Sequence, residues 1–192
     1  MLAPPAGAQT PLTPERFALL DTVYTTTIAV DADNASAQDY AAAHAACRAL
    51  DSADPLLGPL RRPCTAGAKM FKALNAFSAC AMPPGCLRSA RRARVALTEA
   101  IRLARAANTA VDAAGLVDGC RRELRASQGE LRLLERLRSV LGLVQQTLAT
   151  GSRKLGRRLL READVIDRLV AQQPSPARQR KQFRAACAPA PA

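Results

Sequence analysis

The chain has 192 residues, with 28 Lys and Arg against 16 Asp and Glu, a formal net charge of +12 and six cysteines. A chain of this length can bury a core without staples. Aromatic residues make up only 3% and Trp is absent, while Ala and Leu dominate, so close-packed helices fit and a β-sheet does not. No stretch approaches the roughly 20 apolar residues of a membrane span.

The charge is unevenly placed. Residues 1–60 hold two cations and seven anions, a net −5, while the remaining 132 hold 26 cations and nine anions, a net +17. An acidic first helix lying against basic neighbours is one reading of this asymmetry, and a basic face for an anionic partner is the other. Most of the cations are Arg, whose forked donors suit phosphate and carboxylate; a GC-rich genome would produce the same bias.

In chain order, residues 1–12 are rich in Pro and Ala and are expected to form a disordered tail. Thr13 and Pro14 then carry the cap and first-turn signals of a helix, and Phe17, Leu20, Tyr24 and Thr27 follow at helical spacing. The run TVYTTTIAV has strand-like composition, but no second strand is available to pair with it. Ser36 and Asp39 have the spacing of a capping box, predicting either a restart or a bend of the helix, which ends near Leu50. Pro55, Gly58, Pro59 and Pro63 predict a crossing loop over 51–63 with at most one turn of helix.

A short helix is expected from about Thr65 to Cys80, stopped by Met82-Pro83-Pro84-Gly85. From Cys86 a long helix follows, with Leu97, Ile101, Ala104, Asn108 and Val111 on one side and Arg88, Arg91, Arg92, Arg94, Arg102 and Arg105 on the other. Asp118–Ala149 contains the strongest apolar stripe, Leu134, Leu137, Leu141, Val144 and Leu148. After Gly151, Ser152 can cap a last helix running to about Gln172. Residues 173–192, Pro-interrupted and basic, are expected to form a tail that is disordered or marginally helical around Arg178 to Cys187.

The fold class predicted is all-α: an antiparallel up-down bundle of four or five helices over 13–172, disulfide-bearing, with disordered ends. Six cysteines beside a single His point to disulfides and an oxidising compartment. Cys80 and Cys86 flank the Pro-Pro-Gly turn and form the favoured pair. Cys120 with Cys47 or Cys64 is next, which leaves Cys187 over. His44 and Cys47 share a helical face, but the spacings typical of zinc sites are missing, so no metal or other cofactor is expected.

Catalytic signals are weak: one His, no nucleophile elbow, no phosphate-cradling loop and no paired carboxylates. A helical enzyme would have to use Glu99, Arg102 and Arg105 in an internal site. The candidate anion-binding residues are Arg121, Arg122 and Arg125 and the cluster Arg153, Lys154, Arg157, Arg158 and Arg161. In that cluster, cations at a helix start oppose the dipole, which implies either a helix continuous through Gly151 or an anion resting there.

The functional expectation is a non-enzymatic interaction module, secreted or envelope-associated, whose basic surface meets anionic polymers or a protein partner. The alternative is a cytoplasmic nucleic-acid-binding protein of low specificity. The start MLAPPAGAQTPLTP lacks the basic, apolar character of a signal peptide, so a secreted protein is expected here in processed form.

Overall fold

The computed structural model describes residues 9–30, 35–81, 83–126 and 131–189, where it is helical with no strand. The helices are α1 (Pro14–Val30), α2 (Ala37–Ala49), α3 (Leu57–Ser78), α4 (Pro83–Ala113), α5 (Asp118–Ala126), α6 (Leu131–Thr150), α7 (Arg153–Ala171) and α8 (Pro176–Cys187). The all-α, disulfide-bearing bundle is thus borne out, divided into eight described helices rather than four or five.

The spine is the hairpin of α3 and α4, closed at its turn by the Cys80–Cys86 disulfide. On one side α2 packs against α3; on the other, α6 packs against α4 and α7 against α6 alone. At the end remote from the turn, α1, α5 and α8 gather around the start of α3 and the end of α4. A second core fills the rest of the hairpin, joining Met70, Leu97 and Ile101 to Leu134 and Leu141 of α6. Leu137 and Val144 pack against it, while Leu148, at the helix end, is exposed.

Local chemistry explains most boundaries. The N–H of Arg16 donates to Thr13 Oγ1 at 3.4 Å, and Ser36 and Asp39 form the expected capping box. The Thr-rich end of α1 remains helical because its hydroxyls donate back to carbonyls one turn earlier, Thr25 to Asp21 at 2.7 Å and Thr26 to Thr22 at 3.0 Å. Gly115 and Gly151, both at φ +64°, adopt the left-handed conformation that ends α4 and α6.

Five expectations are corrected. The loop expected over 51–63 ends at Leu57, because Leu57 and Leu60 are buried and Asp54 Oδ1 accepts from the N–H groups of Leu56 and Leu57 at the helix start. The stretch Asp118–Ala149 comprises two helices, α5 and α6, and residues 127–130 lie outside the described set. The tail assigned to 1–12 is ordered from residue 9: Thr10 and Leu116 form a bridge, and Leu12 is buried in the core.

The largest correction concerns residues 173–192, of which 176–187 form α8. Its Phe183 has no exposed surface and stacks between Phe17 (centroids 5.5 Å apart) and Tyr24 (4.4 Å). Cys187 is bonded to Cys120, and Cys47 to Cys64, so the expected pairing of Cys120 with Cys47 or Cys64 does not form. The described cysteines include no free thiol.

Candidate functional site

The 3- and 4-residue steps that turn Ala90, Ala93 and Leu97 of α4 into the core leave Arg88, Arg91, Arg92 and Arg94 in solvent. Lys69 of α3 borders the same groove as Arg91 and Arg92. Across the hairpin, Arg94 lies over Gly142 of α6, where an added Cβ would stand 3.6 Å from its guanidinium carbon, and it donates to Gln145 Oε1 at 3.4 Å. Gly151 then reverses the chain, and α7 begins beside the end of α6, with Gly156 against the methyl of Thr147. The first half of α4, the last turns of α6 and the first half of α7 therefore share one end of the molecule.

The ion pairs of the described residues lie elsewhere. Arg16 pairs with Asp54, Arg102 with Glu99, Arg105 with Glu135, Arg121 with Asp118, Arg125 with Asp112, Arg136 with Glu162, and Arg180 and Arg184 with Asp21. None involves Lys69, Arg88, Arg91, Arg92, Arg94, Arg153, Lys154, Arg157, Arg158 or Arg161. Glu99, which lines the groove beside Arg91, is already occupied by two donors of Arg102 at 2.7 and 2.8 Å, and Glu162 of α7 by Arg136 at 2.8 Å. Hydrogen bonding from Arg102 holds the Glu99 carboxyl below its ordinary value.

The start of α7 concentrates this imbalance. Because Gly151 breaks the chain and Ser152 Oγ accepts from the N–H of Leu155 at 3.4 Å, the helix begins at Arg153 and is not continuous with α6. Arg153, Lys154, Arg157 and Arg158 thus stand in its first two turns, against the positive end of the dipole, with no acid in the first turn. Each such placement costs a few tenths of a kcal/mol. Arg153, Arg157 and Arg161 repeat every four residues, giving a ladder about 6 Å per step along the exposed side.

No protein-family model, curated protein or solved structure matches this chain. The site must therefore be read from its own chemistry.

Of the eight cations selected from the sequence, the five on α7 stand together, whereas α5 lies against α8 at the other end. There Arg121 and Arg125 are engaged by Asp118 and Asp112, and Arg122 is exposed. The cations of α4 were visible in the sequence as the outer side of a helix, but only the packing of α6 on α4 and of α7 on α6 brings them to the same end of the molecule as the start of α7. The basic run Arg178–Arg184 is in part structural, since Arg180 and Arg184 both bind Asp21.

The other candidates are placed more simply. Glu99, Arg102 and Arg105 form surface ion pairs rather than an internal site. His44 is half-buried and its neighbour Cys47 is consumed by a disulfide. Among the described residues no three His, Cys, Asp or Glu side chains gather as metal ligands, and no helix is long and apolar enough to cross a membrane.

Proposed function

We propose that this protein is a binding module of an oxidising compartment, secreted or attached to the cell envelope, which holds an anionic polymer or an acidic protein surface against its cationic face. The observation that carries this reading is the absence of any acidic partner, among the described residues, for the cations that begin α7 and for Arg88, Arg91, Arg92 and Arg94 in the first half of α4. Ten like charges gathered toward one end of the molecule raise the local potential, and an approaching polyanion relieves their repulsion while releasing its counterions. The three disulfides support the compartment, since such bonds persist where thiols are oxidised.

The test is binding to heparin and to duplex DNA at rising salt. Affinity is expected to fall steeply between about 50 and about 200 mM NaCl. The triple variant Arg153→Glu, Arg157→Glu, Arg161→Glu is expected to bind at least about tenfold more weakly, whereas Arg121→Glu with Arg125→Glu changes little. Equal loss from the two variants would sink the assignment to this face.

The nucleic-acid reading is the second. It rests on phosphate contacts, because Phe17, Tyr24 and Phe183 are stacked on one another, and Tyr40, Phe71 and Phe77 pack against the buried clusters rather than offering open faces to bases. Six free thiols in protein taken from its native cell without reductant would favour this cytoplasmic alternative.

A further inference from the structure

We propose that the outer side of α4 receives an acidic amphipathic helix from a protein partner, laid along the two grooves that flank Val95. This rests on the reading of the face as an anion-binding one, and it narrows the partner to a class. Val95 is 70% exposed, although it sits among Arg91, Arg92 and Arg94 and just before Leu97, which is fully buried. On its α3 side lies a groove of about 460 Å³, floored by Ala66, Val95 and Ala96 and rimmed by Lys69, Arg91, Arg92 and Glu99, whose carboxylate is held by Arg102. On its α6 side a second groove of about 590 Å³ continues past Arg94, Thr98 and the same Glu99 to Gln145.

The small side chains of Ala66 and Ala96 create the first groove, and the lining is almost wholly carbon. Carbon exposed between unpaired guanidinium groups calls for a partner that brings apolar side chains and negative charge together. A polysaccharide or nucleic acid brings the charge but nothing apolar to cover Val95. An acidic helix brings both, because residues at i, i+3, i+4 and i+7 form an apolar stripe while carboxylates flank it at the pitch of the α4 arginines.

A small ligand is the poorer occupant, since small-molecule sites enclose most of their ligand and both grooves are open along their length. A second copy of this chain is poorer still. Arg91, Arg92 and Arg94 would meet themselves across a twofold axis. Of the chain's own N-terminal acids, Asp21 is taken by Arg180 and Arg184 and Asp54 by Arg16.

The probe is a fluorescently labelled synthetic helix of about 18 residues with leucines on one face and glutamates and alanines on the other, compared by anisotropy with a control of equal charge carrying Gln for Leu. The leucine peptide is expected to bind the intact protein at least about tenfold more tightly than the control. Val95→Ser, a change at an exposed position, is expected to weaken the leucine peptide about fivefold and leave heparin binding unchanged. Lys69→Glu with Arg92→Glu is expected to weaken that peptide about tenfold or more.

Equal binding of the two peptides, or no effect of Val95→Ser, overturns this proposal. If heparin still binds in either case, the broader reading of a cationic interaction module stands. Loss of heparin and peptide binding together from the unmutated protein removes both.

Discussion

Asp21 shows how one side chain of the acidic N-terminal segment is used. Arg184 donates to its carboxylate at 2.6 and 2.7 Å and Arg180 at 3.2 and 3.3 Å, and Asp21 is 16% exposed. Hydrogen bonds from Arg184 come first among the influences that hold its carboxyl well below the ordinary range; burial opposes them, and Arg180 adds to them. A depressed folded-state value means the stabilisation is complete above the unfolded value of about 4 and is lost as pH falls below it, because the unfolded chain takes up the proton first. Asp21→Asn is therefore expected to lower stability at pH 7 by about 1–2 kcal/mol and to narrow the gap between urea unfolding at pH 7 and at pH 3. At Gly58 the constraint is steric: a Cβ there would stand 2.5 Å from the carbonyl oxygen of Ser52. Gly58→Ala should cost about 1–3 kcal/mol in thermal unfolding, more than Gly67→Ala, where an added Cβ meets nothing.

Among the elements, α8 holds the end of the molecule together. Phe183→Ala is expected to destabilise by about 3–5 kcal/mol, measured by denaturant unfolding, since it empties the space between Phe17 and Tyr24. The Cys120–Cys187 bond closes a separation of 67 residues and Cys80–Cys86 one of six. By loop entropy, replacing the former pair with Ser should cost about 4 kcal/mol and the latter about 2, an ordering that melting curves of the two double variants would check. The contrast also explains what could be read in advance. Cys80 and Cys86 bracket a turn visible in the sequence, so their pairing follows from local geometry. Cys187 is brought to Cys120 by the packing of α8 on α5, and α8 gives a weak local signal: it opens on Pro176 just after Pro174, is rich in Arg, and draws its acidic counterpart from Asp21, far away in the chain. The stripes of α4 and α6 were legible because each buries a repeated face against a long neighbour. The start of α3 was masked by Gly58, Pro59 and Pro63, although Leu57 and Leu60 already marked its buried side.

At the scale of the whole molecule, packing is graded from the hairpin outward. α4 touches α3, α5 and α6, whereas α7 touches α6 alone and buries little besides Ile166. Backbone amides of α7 are expected to exchange with deuterium well before those of α4, and saturating heparin should slow the former selectively; hydrogen-exchange mass spectrometry reads both. The charged cluster on α7 was legible as five cations within nine residues, but its union with α4 belongs to tertiary structure and no local pattern announces it. The same architecture sets which way the molecule faces. Thr10 is tied to Gly115 and Leu116, and Cys187 to Cys120, so the first and last described segments both enter the core remote from Arg88–Arg94. A linker, anchor or fused domain joined at either terminus would grip the molecule by its far side, like a handle, and present the arginines outward.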